Sequence, residues 1–276
     1  MILGDFTLHS LCDGFFGLDG GAMFGVVPRP VWQKLQPPDE RNRIRLALRP
    51  LLAVNGRHRV LIDTGIGDKS SPEFCDAYRI EKTDTIDASL ERAGFSPADI
   101  THVILTHLHF DHCGGATHIE SGRIVPRFPN ARHYVQQAEW ELATNPNRRS
   151  RAAYLPENFL PLEAAGLLEI VEGDFDPVPG VAAKLTPGHT PGLQLVFIRS
   201  GGATALYWSD LLPTRSHIAT PYVMGYDLLP LETMEAKERL VGQAVAEQWL
   251  CFPAHDTELA AGRIGRDGGR FVLNPA

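Results

Sequence analysis

Short apolar runs separated by glycine, proline, aspartate and asparagine recur along the chain. Where such runs are rich in β-branched and aliphatic residues they predict strands: Phe6–Cys12, Ile44–Val54, His58–Ile62, His102–Thr106, Ala131–Val135, Leu167–Val171, Ala182–Leu185, Gln194–Ile198 and Ala203–Trp208. Helical spacing appears in fewer places. Leu240, Val241, Ala244, Val245 and Trp249 fall on one face of a helix expected over Glu232–Leu250, with Glu232 and Glu235 near its positive N-terminal end. A second helix, Thr85–Ala93, should stop at Gly94, and Ser96 followed by Pro97 offers a cap and first position for a third. Strands outnumber helices and do not alternate strictly with them. That order predicts an α/β fold of two packed sheets with helices outside rather than a doubly wound sheet. No linker or repeat divides the chain, so residues 1–276 read as a single domain, with an N-terminal loop segment at about 13–42.

Composition narrows the function classes. Lys and Arg number 26 against 33 Asp and Glu, a net charge of −7, which gives nucleic acid no general electrostatic attraction. Hydrophobic residues make up 43% of the chain and charged residues 21%, ordinary values for a globular core. Cys12, Cys75, Cys113 and Cys251 are far apart and form no CxxC pair, so neither a disulfide framework nor a cysteine metal site is expected. No apolar run reaches the length of a membrane span and no secretory leader is apparent; a cytoplasmic location is expected.

The chemistry concentrates in "THLHFDHCGG". His107, His109, Asp111 and His112 follow the apolar strand "HVILT", and Gly114 and Gly115 are expected to permit unusual backbone angles there. Four neighbouring donors exceed what one catalytic zinc takes from protein, which points to two metals with further donors from elsewhere. Three later segments repeat the arrangement of apolar strand followed by a donor: His189 in "LTPGHTPG", Asp210 in "ALYWSDLLP" and His255 in "LCFPAHD".

Taken with "LIDTG" at Leu61–Gly65, these segments resemble the motif set of the metallo-β-lactamase superfamily over nearly the whole chain. The resemblance implies an αβ/βα four-layer sandwich of two mixed sheets with outer helices. It implies two divalent ions, zinc by preference with iron, cobalt or manganese as alternatives. His107, His109 and His189 would hold the first, and Asp111, His112 and His255 the second. Asp210 would bridge them with a hydroxide, Asp111 would also move protons, and Asp63 would support the metal-binding loop. "LDGGAMFGVVPRPVW" and "SDLLPTRSHIATPYVMGYD" are further similar to the quorum-quenching N-acyl-homoserine lactonase branch, shared with methyl-parathion-hydrolase-like enzymes. That likeness implies lactone opening by attack of the metal-bridging hydroxide. It departs at Pro213, where lactonases of this branch carry a tyrosine three residues after the bridging aspartate; His217, Tyr222 or Tyr226 would have to supply a polar group.

Phe15, Phe16, Met23 and Phe24 flank glycines near the N-terminus and read either as core or as an apolar loop meeting substrate together with His217 and Tyr222. A homodimer contact is the other use of such residues. The lone "DTG" lacks the paired carboxylates of an aspartic protease. The expected partner is a small lactone or ester, with no nucleic acid and no membrane. A phosphotriesterase or arylesterase activity and a non-enzymatic metal-binding role are the competing readings.

Overall fold

The computed structural model describes residues 1–276. The apolar strands pack into two seven-stranded sheets. The first runs in the order Ile2–Leu3, Phe6–Ser10, Leu51–Asn55, β1 (His58–Ile62), β2 (His102–Ile104), Arg132–Gln136, Leu168–Val171. From β1 onward its strands are parallel, and the earlier ones are antiparallel. The second runs Phe175–Val178, β3 (Val181–Leu185), Gln194–Ser200, β4 (Ala203–Ser209), β5 (Leu250–Pro253), Gly262–Asp267, Arg270–Pro275. Only β4 and β5 pair in parallel there.

Both faces of the central strands are buried, which is why these strands read as continuous apolar runs. In β4, Ala205 and Tyr207 face the other sheet, where Val60, Ile62 and Ile104 meet them. Leu206 and Trp208 point outward, under Leu240, Val241 and Ala244 of the long helix α2 (Pro230–Ala246). The outer face of the first sheet, including Leu61, Val103 and Val135, is covered by Ile86 and Leu90 and by Ala143 of α1 (Gln137–Thr144). The result is the expected αβ/βα four-layer sandwich of mixed sheets.

Three expectations are corrected. Ile44–Val54 is two strands, because Pro50 cannot donate to a ladder and holds Arg49 out of register. Arg43–Ala47 instead pairs with Phe15–Asp19 in a separate ribbon. The supposed loop at 13–42 therefore contains that strand and two short helices, the first capped by Asp19 accepting from the Ala22 amide at 2.8 Å. The C-terminal helix runs Pro230–Ala246, with Pro230 at its first turn. It stops before Gln248, whose φ of 54° is left-handed, and Leu250 already belongs to β5. Thr85 does cap the helix that follows it, accepting from Ala88 N at 3.2 Å.

Candidate metal centre

Five strand ends deliver the candidate donors to one edge of the sandwich. Asp63 follows β1, the His107–His112 run follows β2, His189 follows β3, Asp210 follows β4 and His255 follows β5. Two ends bend through left-handed backbone without glycine, Asp63 at φ 56° and Ser209 at φ 45°, a conformation that persists only where the surroundings enforce it. The enforcing contacts cross the sheets. Asp63 accepts from the Thr106 amide and hydroxyl at 2.8 Å each, and the Thr106 hydroxyl lies 2.7 Å from that of Ser209. Gly114 and Gly115 have ordinary negative-region or extended backbone, contrary to expectation. Their lack of a side chain serves close approach: a Cβ on Gly115 would overlap the Thr64 carbonyl oxygen, and one on Gly114 that of Ile66.

All seven expected donors converge. His107, His109 and His189 place ligand atoms within 4.8 Å of one another, as do His107, His112 and Asp210, and Asp111, His112 and His255. Asp210 lies between the sets: its Oδ2 is 3.2 Å from His189 Nε2, and its Oδ1 is 3.2 Å from His112 Nε2 and 3.1 Å from His255 Nε2.

The outward nitrogens fix the tautomers. His255 Nδ1 meets the Ala47 carbonyl oxygen at 2.8 Å, His112 Nδ1 meets Asp63 at 2.8 Å, and His189 Nδ1 meets Asp227 at 2.9 Å. Those partners accept, so each Nδ1 donates and a neutral ring turns its Nε2 lone pair inward. His255 Nε2 and His112 Nε2 then face each other at 3.0 Å, and His189 Nε2 faces His109 Nδ1 at 3.0 Å. Asp210 Oδ1 is buried and accepts no hydrogen bond. Converging lone pairs around an unpartnered carboxylate oxygen fit a divalent metal site, with the outer partners orienting the rings.

Electrostatics divide the histidines. Burial, reinforced by neighbouring histidines, holds His107 and His109 well below the usual imidazole range. Burial opposes charge at His112 and His189 too, but Asp210 with Asp111 and Asp63, and Asp210 with Asp227, lifts them. Burial likewise disfavours the charged Asp210, yet His112, His189 and His255 hold it well below the carboxylate range.

A cavity of about 150 Å³ opens onto His109, Asp111, His189, Asp210 and His255. Its remaining wall is mainly apolar and phenolic, with Leu18, Met23, Tyr78, Phe110, Met224, Tyr226 and Leu228, and Arg149 lies along it. Of the six side chains expected to meet substrate, only Met23 lines this space. Phe16 is fully buried behind it, its ring 5.5 Å from that of His255. Phe24 is stacked between Trp32 and His217, with Tyr222 against its edge. His217 spends both nitrogens, on Thr214 at 2.8 Å and on the Met23 carbonyl at 3.0 Å. Phe15 lies under the Arg45 guanidinium. Packing of the N-terminal ribbon thus takes these aromatics. Asp227, Glu139 and the Ala47 carbonyl were not anticipated, since none stands in a segment with donor spacing.

An αβ/βα sandwich with this histidine and aspartate cluster at its edge defines a metallohydrolase. The profile of the metallo-β-lactamase superfamily matches residues 51–255, and the chain belongs to that family; it is a metal-dependent hydrolase. It is 31% identical over 212 residues to an N-acyl homoserine lactonase of Bacillus thuringiensis subsp. kurstaki, covering 72% of this chain and 77% of that protein. A probable metal-dependent hydrolase from Staphylococcus aureus superposes with a TM-score of 0.91 and 34% identity, covering 100% of this chain and 99% of that one. An N-acyl homoserine lactone hydrolase solved with N-hexanoyl-L-homoserine at its catalytic metal centre superposes at 0.68 with 25% identity, covering 94% and 95%. No helix is long and apolar enough to cross a membrane.

Proposed function

We propose that this protein is a dinuclear-metal hydrolase that opens the lactone ring of N-acyl-homoserine lactones. The observation that carries the reading is the apolar cavity ending directly on Asp111, Asp210 and three of the candidate histidines. Its apolar wall suits an acyl chain, and its polar end suits an ester carbonyl. His107, His109 and His189 would hold one divalent ion and Asp111, His112 and His255 the other, with Asp210 within reach of both sets of histidines. Such a pair supplies water activation near neutral pH and stabilises a developing oxyanion.

The chain's own groups do the rest. Water adds to the ring carbonyl carbon, the ring C–O bond breaks, and Asp111 takes the water's proton and hands it to the leaving alkoxide. Asp111 is 8% exposed and faces the cavity, so it reaches substrate without opening the core. Tyr226 is the phenol we assign to the substrate carbonyl in place of the residue missing at Pro213. It lines the cavity, and a phenol stays protonated at neutral pH. His217 and Tyr222 are excluded from that role by their packing behind the wall.

The test is turnover of a panel of acyl-homoserine lactones, paraoxon-like esters and thioesters, with metal content measured on the same sample. Lactones are expected to turn over fastest, and His109→Ala or Asp210→Ala to abolish hydrolysis and lower bound zinc. Tyr226→Phe should cost on the order of 100- to 1,000-fold in kcat with zinc retained. Paraoxon turnover far above that of lactones would move the protein to the phosphotriesterase class; zinc binding without turnover of any ester would leave a metal-binding protein.

A further inference from the structure

Glu139 is a fully buried carboxylate that the proposed chemistry does not use. It projects from the first turn of α1, and all its partners are neutral donors. Oε1 accepts from the Leu108 amide at 2.9 Å and from the Tyr154 hydroxyl at 3.0 Å, and Oε2 accepts from the Thr190 hydroxyl at 2.5 Å. Each donor adjoins the same part of the metal centre. Leu108 stands between His107 and His109, Thr190 follows His189, and the Tyr154 ring lies 4.8 Å from that of His109. The His189 turn reaches α1 only because of Gly192, where any Cβ would overlap the Glu139 amide nitrogen. The rings of the other half rest on groups that Glu139 does not touch: Asp63, which also holds Thr106 beside His107, behind His112, and the Ala47 carbonyl behind His255.

We propose that Glu139 is a positioning residue of the His107–His109–His189 half alone, joining the two chain segments that carry it and adding a negative charge to that of Asp227, which holds the His189 ring only. A buried carboxylate without a cationic neighbour is unfavourable by itself. A cation held by three neutral histidines is the charge that offsets it. The half built on Asp111 already has a carboxylate of its own. Removing the Glu139 charge should therefore weaken one metal and spare the other.

Glutamine separates charge from hydrogen bonding. Its carbonyl oxygen can accept from Leu108 and Tyr154, and its amide can donate to the Thr190 hydroxyl, which accepts as well as donates. The full chain, stripped of metal, is titrated with zinc against a chromogenic chelator. Wild type is expected to bind two ions. Glu139→Gln is expected to raise one dissociation constant about 10- to 100-fold, the range for residues that support metal ligands, and to leave the other unchanged. In a His255→Ala background the substitution should weaken the remaining zinc, and in a His189→Ala background it should add nothing. The unfolding midpoint of the metal-free protein should stay near that of wild type. Equal weakening of both ions, no weakening, or a loss of metal-free stability as large as that of the loaded protein would each overturn the proposal. If Glu139→Gln does not fold, Thr190→Val removes a single donor and should weaken the same ion to a smaller degree; failure to do so has the same force. The inference rests on the two-ion reading above. A wild-type chain that takes up no zinc defeats that reading, whereas two tight ions in both wild type and Glu139→Gln defeat only this one.

Discussion

His133 shows what burial does to a titratable side chain away from the candidate metal centre. Its Nδ1 donates to the Ala131 carbonyl at 3.1 Å, its Nε2 has no partner, and burial pushes its pKa down to about 4. The unfolded chain therefore binds a proton there that the folded protein refuses. The stability this contributes is complete above the unfolded pKa of about 6.5 and is lost as pH falls from there toward 4. Each pH unit in that window is worth about 1.4 kcal/mol, so roughly 2 kcal/mol disappears between pH 6.5 and 5. His217, held to about 3 by burial and by Lys237, adds to the same acid limb. His133→Leu is expected to flatten the loss; urea unfolding at pH 7 and pH 5 would show a smaller difference than in wild type. Neither histidine is among the expected metal donors, and nothing in the letters around them tells a buried ring from an exposed one. The seven donors were legible for the opposite reason: their spacing after apolar runs leaves few other uses. Glu139 and Asp227 stayed hidden because they reach the centre from a helix turn and a loop with no such spacing.

Turns between strands carry most of the local specification. The 63–67 turn and the 112–116 segment lie against each other with the Gly115 amide donating to the Gly65 carbonyl at 3.0 Å and the Thr64 amide to the His112 carbonyl at 2.8 Å. Asp13, buried beneath, accepts from the Ile66 and Gly67 amides at 2.9 Å each. A methyl group at Gly115 has no room, so Gly115→Ala should cost about 1–3 kcal/mol by overpacking and should displace His112 with the turn. Thermal unfolding would report the first effect and zinc content the second; wild-type values for both would remove the packing argument. The sequence marked these glycines but suggested the wrong reason for them, because a chain of letters shows flexibility and conceals which backbone lies opposite. Lys237 illustrates the same limit. It is a charged residue on the buried face of α2 that no motif singles out, and its ammonium donates to the His217 and Tyr222 carbonyls at 3.0 and 2.7 Å and pins the loop beside the cavity.

The whole molecule follows from strands that are apolar on both faces and therefore need covering twice. That much was readable, and most strand positions fell within a residue or two of their expected ends. The C-terminal hairpin Gly262–Asp267 and Arg270–Pro275 was missed because its apolar Ile264 and Phe271–Leu273 are broken up by arginine, glycine and aspartate, and half of its residues are exposed, as suits an edge. The N-terminal ribbon was misread for another reason: its aromatic residues suit a binding loop and a core equally well, and only the packing of Phe16 and Phe24 decides between them. That ribbon meets the end of β5 directly. The Ala47 amide donates to the His255 carbonyl at 3.0 Å, while the Ala47 carbonyl takes the His255 ring proton at 2.8 Å. Ala47 lies just before residues 51–255, the range that the superfamily profile matches. During synthesis on the ribosome, the ribbon must wait for a residue 208 positions further on to emerge before its partner exists. The His255 imidazole is then seated by a residue made 208 positions earlier, and a nascent chain cannot complete this edge of the candidate metal centre until both meet.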